Sequence, residues 1–312
     1  MPLHPALNPE LESLLADFPL IPEVTPAVLP AMRQASALPP GQLLANQPLT
    51  RTDHTTPAPD GHLVPLTVLT PTVASGACVV WLHGGGMILG DRFSQIDIPL
   101  EWLAELGVVV VTVEYRLAPE FGGSTPVRDA YAGLCWVAEH AAELGVDPER
   151  IVVAGISAGG GLAAGVTLLA RDLGGPAIAA QVLICPMLDH RNDTVSSRQY
   201  AGVPSVWTPE TNRFAWGAVL GAAPDDVPAY VSPALADDLA GLPATYVDAG
   251  SAEVFRDEDV AYASRIWAAG GEAELHVWAG GFHGFDAMFP ATALGAAART
   301  TRTRWLAGVL AR

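Results

Sequence analysis

Residues 155–159 constrain the fold of this chain most, because they carry the pattern Gly-Ile-Ser-Ala-Gly between two contrasting segments. The preceding residues 151–154 are apolar and typical of a buried strand, and a helix of small residues is predicted over 158–171. A strand, a sharp turn with serine at its apex and a helix are the context of a nucleophile elbow. Such a turn favours glycine two residues before and two after the serine. Ser157 is therefore the candidate nucleophile.

A second glycine-rich segment supports this interpretation. Residues 83–86 read His-Gly-Gly-Gly and follow the apolar run 78–82. Attack on a carbonyl group needs fixed N–H donors where negative charge develops, and a glycine loop can bring its backbone close to a substrate. The candidate oxyanion donors are the backbone N–H groups of this loop and of the residue after the serine: Gly84, Gly85, Gly86 and Ala158.

Apolar runs alternate with helical patterns along most of the 312 residues. Strands are predicted at 63–69, 78–82, 108–113, 151–154, 179–185, 244–248 and 273–278. Helices are predicted at 98–106, 126–143, 158–171, 209–220, 257–269 and 291–310, and shorter amphipathic patterns lie at 9–17 and 25–37. This alternation predicts an α/β protein of one domain with a doubly wound, mostly parallel sheet. Ligands bind such sheets beyond the carboxyl ends of the strands.

Four segments together resemble the hormone-sensitive-lipase-like family of α/β-hydrolase esterases in order and spacing. They are residues 83–86, 115–120 (Tyr-Arg-Leu-Ala-Pro-Glu), 155–160 and 281–285 (Gly-Phe-His-Gly-Phe). The resemblance covers the chain from about residue 40 to the C-terminus. It implies an α/β-hydrolase fold with a helical cap over the site, formed by residues 1–45 and an insertion at about 189–229. Trp207 and Phe214 lie in that insertion and are the candidate substrate-pocket residues.

His283 is the candidate general base among eight histidines. It lies late in the chain, in a loop, and after a predicted strand, as the order serine, acid, histidine of α/β-hydrolases requires. His190 follows a strand but precedes every candidate acid. His83 belongs to the glycine loop, where its expected task is to hold that loop by side-chain hydrogen bonds.

Two carboxylates compete for the role of triad acid. The resemblance places the acid at Glu253, a glutamate where the family usually has aspartate. Asp248 is the alternative, because it lies directly at the end of a predicted strand. Either carboxylate can accept a hydrogen bond from an imidazole N–H group.

The composition narrows the classes of partner. All sixteen basic residues are arginine, so lysine Schiff-base chemistry is excluded. The net charge of −17 argues against nucleic acid and anionic membranes as partners. The three cysteines lack the spacing of a zinc site and are predicted to be buried thiols, and neither a metal nor an organic cofactor is expected. With no signal-peptide pattern and no long apolar stretch, a cytoplasmic protein is expected.

These observations predict a serine carboxylesterase with a Ser-His-Glu triad that hydrolyses small esters with acyl chains of about C2 to C8. An amidase or deacetylase with the same triad is the alternative. A non-catalytic small-molecule binding protein, as in the related plant hormone receptors, is a third interpretation, and such a protein would be expected to have lost a triad residue. The oligomeric state stays open, a homodimer included.

Overall fold

The fold is built on one eight-stranded sheet. The computed structural model describes residues 4–18, 20, 24–36, 39, 41, 44–45, 47–221 and 226–312. Its strands are β1 (Leu49–Pro57), β2 (Leu63–Pro71), β3 (Cys78–Leu82), β4 (Val109–Val113), β5 (Ile151–Ile156), β6 (Ala180–Ile184), β7 (Ala244–Gly250) and β8 (Ala273–Trp278). They lie in the order β1-β2-β4-β3-β5-β6-β7-β8. Strand β2 pairs antiparallel with β1 and with β4, and every other pair is parallel.

Helices cover both faces of this sheet. Those described are α1 (Pro9–Ala16), α2 (Leu29–Ser36), α3 (Asp97–Leu106), α4 (Thr125–Glu139), α5 (Ala141–Leu144), α6 (Ala158–Leu173), α7 (Val195–Gln199), α8 (Pro209–Leu220), α9 (Arg256–Ala268), α10 (Phe285–Met288) and α11 (Ala293–Leu310). In strand β3, Val80 packs into the core beneath α4 and α6, and Trp81 packs on the opposite face near α3. A strand covered on both faces reads as a continuous apolar run, which is why β3 could be predicted from the sequence.

The predicted α/β class and mostly parallel sheet are confirmed. Each of the seven predicted strands and six predicted longer helices has an observed counterpart, although residues 126–143 form two helices, α4 and α5. Strand β1 was not predicted, because its sequence Leu-Thr-Arg-Thr-Asp-His-Thr-Thr-Pro is polar on both faces. It is an edge strand that pairs with β2 through its backbone over nine residues. His54 lies within this edge strand.

The parallel strands bring the candidate residues to one edge of the sheet. His83 directly follows β3, and Ser157 directly follows β5. Glu253 lies between β7 and α9, and His283 lies between β8 and α10. Because β3, β5, β6, β7 and β8 run parallel side by side, their carboxyl ends place these loops next to one another.

Candidate active site

Ser157 lies at the apex of a tight turn between β5 and α6. Its backbone has a positive φ angle, with φ 57° and ψ −122°, which is uncommon for a residue with a side chain. A Cβ atom on Gly155 would lie 2.2 Å from the carbonyl oxygen of Gly159, and one on Gly159 would lie 2.0 Å from that of Leu82. The two glycines therefore allow the start of α6 to pack directly against β5 and β3.

A chain of two hydrogen bonds connects the serine to a histidine and a carboxylate. Ser157 Oγ lies 2.9 Å from His283 Nε2, and His283 Nδ1 lies 2.7 Å from Glu253 Oε2. A carboxylate only accepts hydrogen bonds, so Nδ1 of the neutral imidazole carries the proton and Nε2 is left to accept from the serine hydroxyl. All three residues are buried. This geometry suits a serine that loses its proton to an imidazole.

The loops that carry the acid and the histidine lie in direct contact. A Cβ atom on Gly250 would lie 2.0 Å from the carbonyl oxygen of Gly281, so a side chain there would separate the two loops. The N–H group of Ala252 donates to Gly281 O at 2.9 Å. Glu253 Oε1 accepts the N–H of Gly250 at 2.9 Å, which leaves Oε2 for His283. Both carboxylate oxygens are thus held in place.

Asp248, the alternative acid, has a different partner. Its Oδ2 atom accepts a hydrogen bond from Arg302 Nη2 at 2.8 Å, and the same nitrogen lies 3.0 Å from Asp286 Oδ2. All three side chains are buried. Arg302 thus joins the end of β7 and helix α10 to α11. In the described part of the chain it is Glu253, and not Asp248, that lies beside His283.

The glycine loop places its N–H groups in two different environments. Those of Gly85 and Gly86 donate to none of the described residues, and Ala158 begins α6, where first-turn N–H groups have no acceptor within the helix. The N–H of Gly84 instead donates to Gln95 Oε1 at 2.9 Å. The expectation that Gly84 offers a free donor therefore needs correction, because the Gln95 side chain occupies that N–H.

His83 fixes the start of the glycine loop. Its Nδ1–H donates to Gly84 O at 2.7 Å, and the hydroxyl of Tyr115 donates to the carbonyl oxygen of His83 at 2.7 Å. The two rings stack with centroids 4.2 Å apart. Burial lowers the pKa of His83 to about 4, so the side chain is neutral at neutral pH. It holds the loop by hydrogen bonds, as the sequence predicts.

A cavity of about 170 Å³ lies beside the serine and the histidine. Trp207 belongs to its wall, with its ring centroid 6.2 Å from that of His283. Phe214 lines a different cavity of about 450 Å³ that Leu29 of helix α2 also lines. The expectation for Phe214 therefore needs correction, because its position on α8 turns it toward the N-terminal helix. The wall also includes residues that were not predicted from the sequence, among them Gln95, Val206, Ala287 and Met288.

These wall residues differ in whether the sequence contains a pattern from which they could have been predicted. Ala287 and Met288 lie in helix α10, only a few residues after His283, so their nearness to that histidine could have been inferred. Val206 adjoins Trp207 in the insertion. Gln95 lies in a loop without any regular pattern, and no feature of the sequence points to it.

One group of potential metal-binding atoms lies together in the described part of the chain. A ligand atom from each of Cys185, Glu253 and His283 lies within 4.8 Å of the other two. Glu253 and His283 are already joined by their hydrogen bond, and burial raises the pKa of the Cys185 thiol well above its usual range. The group is therefore accounted for by a hydrogen-bonded histidine and carboxylate with a neutral thiol beside them.

Known proteins are similar to this chain in both sequence and structure. A family profile described as alpha/beta hydrolase fold matches residues 79–287. Carboxylesterase NlhH of Mycobacterium tuberculosis is 34% identical over 300 residues, which covers 93% of each chain. The chain belongs to the hormone-sensitive-lipase-like family of α/β-hydrolase esterases. As a member of that family it is a carboxylic ester hydrolase.

Further relatives agree with this assignment. A solved structure entitled bacterial heroin esterase superposes with a TM-score of 0.90 at 37% identity, covering 98% of both chains. An ethyl acetate hydrolase of Pseudomonas putida is 30% identical over 265 residues, which is 82% of this chain and 81% of that protein. Within the described residues, no helix has the length and apolar character that a membrane span would need.

Proposed function

We propose that Ser157, His283 and Glu253 form the catalytic triad of a carboxylesterase. The observation that carries the proposal is the continuous hydrogen-bonded chain from Ser157 Oγ through the imidazole to the carboxylate, at 2.9 and 2.7 Å. His283 Nε2 takes the serine proton as Oγ attacks the ester carbonyl carbon. Glu253 holds the imidazole in the required tautomer and stabilises the imidazolium that forms.

The tetrahedral intermediate places a negative charge on the former carbonyl oxygen. The N–H groups of Gly85, Gly86 and Ala158 are the donors assigned to it, since they have no other partner among the described residues. The imidazolium then gives its proton to the leaving alcohol, and the acyl group stays on Ser157. Water, deprotonated by the same imidazole, attacks the acyl-enzyme and releases the acid.

The size of the cavity favours short acyl groups. Its volume of about 170 Å³ is below the roughly 300–1,000 Å³ of sites that enclose drug-sized ligands. The name of one relative, ethyl acetate hydrolase, refers to an acetate ester. We assign to this enzyme esters with acyl chains of about C2 to C8, with the highest turnover at the short end, and no interfacial activation.

The segments assigned to a cap contact the loops of the site. Leu11 of α1 packs against Phe282 next to the histidine, and Arg33 of α2 donates to the carbonyl oxygen of Ile88 beyond the glycine loop at 2.7 Å. A Cβ atom on Gly86 would lie 2.5 Å from the ring of Trp207. These contacts support a cap formed by residues 1–45 and about 189–229, of which part lies outside the described residues.

Hydrolysis of p-nitrophenyl acetate, butyrate, octanoate and palmitate, with p-nitroacetanilide as the amide, tests the proposal. We expect kcat/KM to be highest for acetate or butyrate, low for palmitate and far lower for the anilide. The Ser157→Ala variant should fold normally and lose turnover by about 10³-fold or more. Higher turnover of the anilide would favour the amidase alternative. If Ser157→Ala retains more than about a tenth of the activity, the assignment of the triad is wrong.

A further inference from the structure

The peptide groups of Gly84 are held by side chains on both sides. Its carbonyl oxygen accepts from His83 Nδ1 at 2.7 Å, and its N–H donates to Gln95 Oε1 at 2.9 Å. Three consecutive glycines would otherwise give a loop with many accessible backbone conformations. The two side chains therefore restrict the loop directly before Gly85 and Gly86, whose N–H groups have no acceptor among the described residues.

The backbone of Gln95 is itself in an unusual conformation. Its φ angle is +52°, in the left-handed region that residues with a side chain adopt rarely. Such conformations persist where the surroundings determine them, and they concentrate at functional sites. A glycine would occupy this position with less strain, so the presence of glutamine indicates that its side chain has a task.

The amide of Gln95 also lies next to the nucleophile. The position of a Cβ atom on Gly84 would be 3.3 Å from Gln95 Oε1 and 3.3 Å from Ser157 Cβ, and Gln95 belongs to the wall of the cavity at the serine. Because the N–H of Gly84 requires an acceptor, the amide oxygen must be the end that faces the loop. The carbonyl side of the glutamine amide thus faces the peptide that leads into the oxyanion donors.

We propose that Gln95 is a positioning residue of the oxyanion hole. Its amide oxygen takes the N–H of Gly84 and so orients the following peptide groups, which leaves the N–H groups of Gly85 and Gly86 to the developing oxyanion. Gln95 acts through the glycine loop. This inference rests on the proposed function, because it assigns a residue that prepares the site for attack by Ser157.

Two substitutions separate this role from a structural one. Gln95→Met keeps the length of the side chain and removes the acceptor, whereas Gln95→Gly removes the side chain and relieves the left-handed backbone. We expect both to lower kcat for p-nitrophenyl butyrate by about 10- to 100-fold with KM changed less than about threefold, since the hole acts in the transition state. Gln95→Gly should melt at the same temperature as the wild type or higher.

A transition-state analogue provides an independent readout. A trifluoromethyl ketone that adds to Ser157 places an oxyanion in the hole, so its inhibition constant should rise in parallel with the loss of kcat/KM. Gln181→Met is the matched control, since this glutamine is buried in β6 and its amide donates to Thr245, away from the loop. The control is expected to alter the melting temperature and leave both kcat and the inhibition constant within about threefold of wild type.

The outcomes distinguish this inference from the proposed function. A Gln95→Gly variant with kcat within about twofold of wild type, or an unchanged inhibition constant, overturns the positioning role. If Ser157→Ala loses activity in that same experiment, the proposed triad still stands. If Ser157→Ala retains activity, the triad itself fails, whatever the Gln95 variants do.

Discussion

Glu253, which the family resemblance predicts as the acid in place of the usual aspartate, has two partners for its carboxylate. One oxygen lies 2.7 Å from His283 Nδ1, and the other accepts the N–H of Gly250 at 2.9 Å. Asp248 lies within strand β7 and is paired with Arg302 at 2.8 Å. Removing one partner of a buried ion pair leaves an uncompensated charge, whereas removing a triad acid disturbs the imidazole. Substitutions of the two acids should therefore have different effects.

We expect Glu253→Gln to lower kcat by about 10²- to 10⁴-fold with only a small change in melting temperature, because an amide no longer selects the required tautomer of His283. Asp248→Asn should instead lower the melting temperature and leave most of the turnover of the folded enzyme intact. Initial rates on p-nitrophenyl butyrate, with thermal unfolding of both variants, check this. If Asp248→Asn causes the larger loss of kcat in folded protein, the assignment of the acid is wrong.

At the scale of elements, the strands and helices that could be predicted are those whose apolar residues form a regular pattern in the sequence. Buried strands such as β3 and β5 read as apolar runs, and the elbow carries glycines that no other residue can replace sterically. Edge strand β1 is held by backbone pairing to β2, which leaves no pattern in its side chains. The hydrogen bond of Gln95 to Gly84 and the cavity that the Phe214 side chain lines both depend on contacts between elements distant in sequence. No local sequence pattern predicts such contacts.

Helix α10 connects His283 to the wall of the cavity. It begins two residues after His283, and Ala287 and Met288 on it line the cavity. We expect Met288→Ala to enlarge the acyl site and raise the ratio of kcat/KM for octanoate over acetate by about 5- to 50-fold, since each methylene in an apolar pocket is worth about 1–3 kcal/mol. p-Nitrophenyl esters of rising length measure this ratio.

Met32→Ala is the matched control for that experiment. Met32 lies in α2 and packs against the core without lining the cavity. The same loss of a methionine side chain there should leave the acyl-length preference of the enzyme unchanged. An equal shift of the ratio in both variants would show that loosened packing in general, and not the cavity wall, sets chain length.

At the scale of the whole molecule, buried titratable groups make stability depend on pH in opposite directions. Asp259 of α9 is fully buried, and neither of its carboxyl oxygens has a hydrogen-bond partner in the part of the chain that the structure describes. Its pKa is raised well above the usual range, mainly by burial and also by the nearby negative charges of Glu253, Glu258, Asp248 and Asp257. The folded state therefore holds this proton more tightly than the unfolded state. The resulting stability is present at low pH and is lost as pH rises above the unfolded pKa of about 4.

We expect Asp259→Asn to be more stable than wild type at about pH 8 and to lose this advantage toward about pH 4, because asparagine does not ionise. Urea unfolding midpoints across this range measure the difference. Asp172→Asn, at an exposed aspartate, should show no comparable trend. A wild-type advantage over Asp259→Asn that grows with rising pH would contradict this account.

His83 has the opposite effect over an overlapping range of pH. Its ring is fully buried and stacks on Tyr115, and its Nε2 atom has no hydrogen-bond partner among the described residues. Burial lowers its pKa from 6.5 to about 4, although the hydrogen bond to Gly84 and the charge of Asp91 oppose the shift. As pH falls, the unfolded chain therefore binds this proton at a higher pH than the folded protein does. The contribution of neutral His83 to the free energy of unfolding is fully present above about pH 6.5. It is lost progressively as pH falls toward 4, by about 3 kcal/mol in all.

His83→Asn tests this directly, because an asparagine amide can still donate to Gly84 O but does not titrate. Since Asp259 and Glu258 contribute in the opposite sense, the informative quantity is the free energy of unfolding of wild type minus that of the variant at each pH. We expect this difference to decrease by about 2–3 kcal/mol between about pH 7 and pH 4. A difference that stays constant would mean that His83 is not buried in neutral form and that the glycine loop is held in another way.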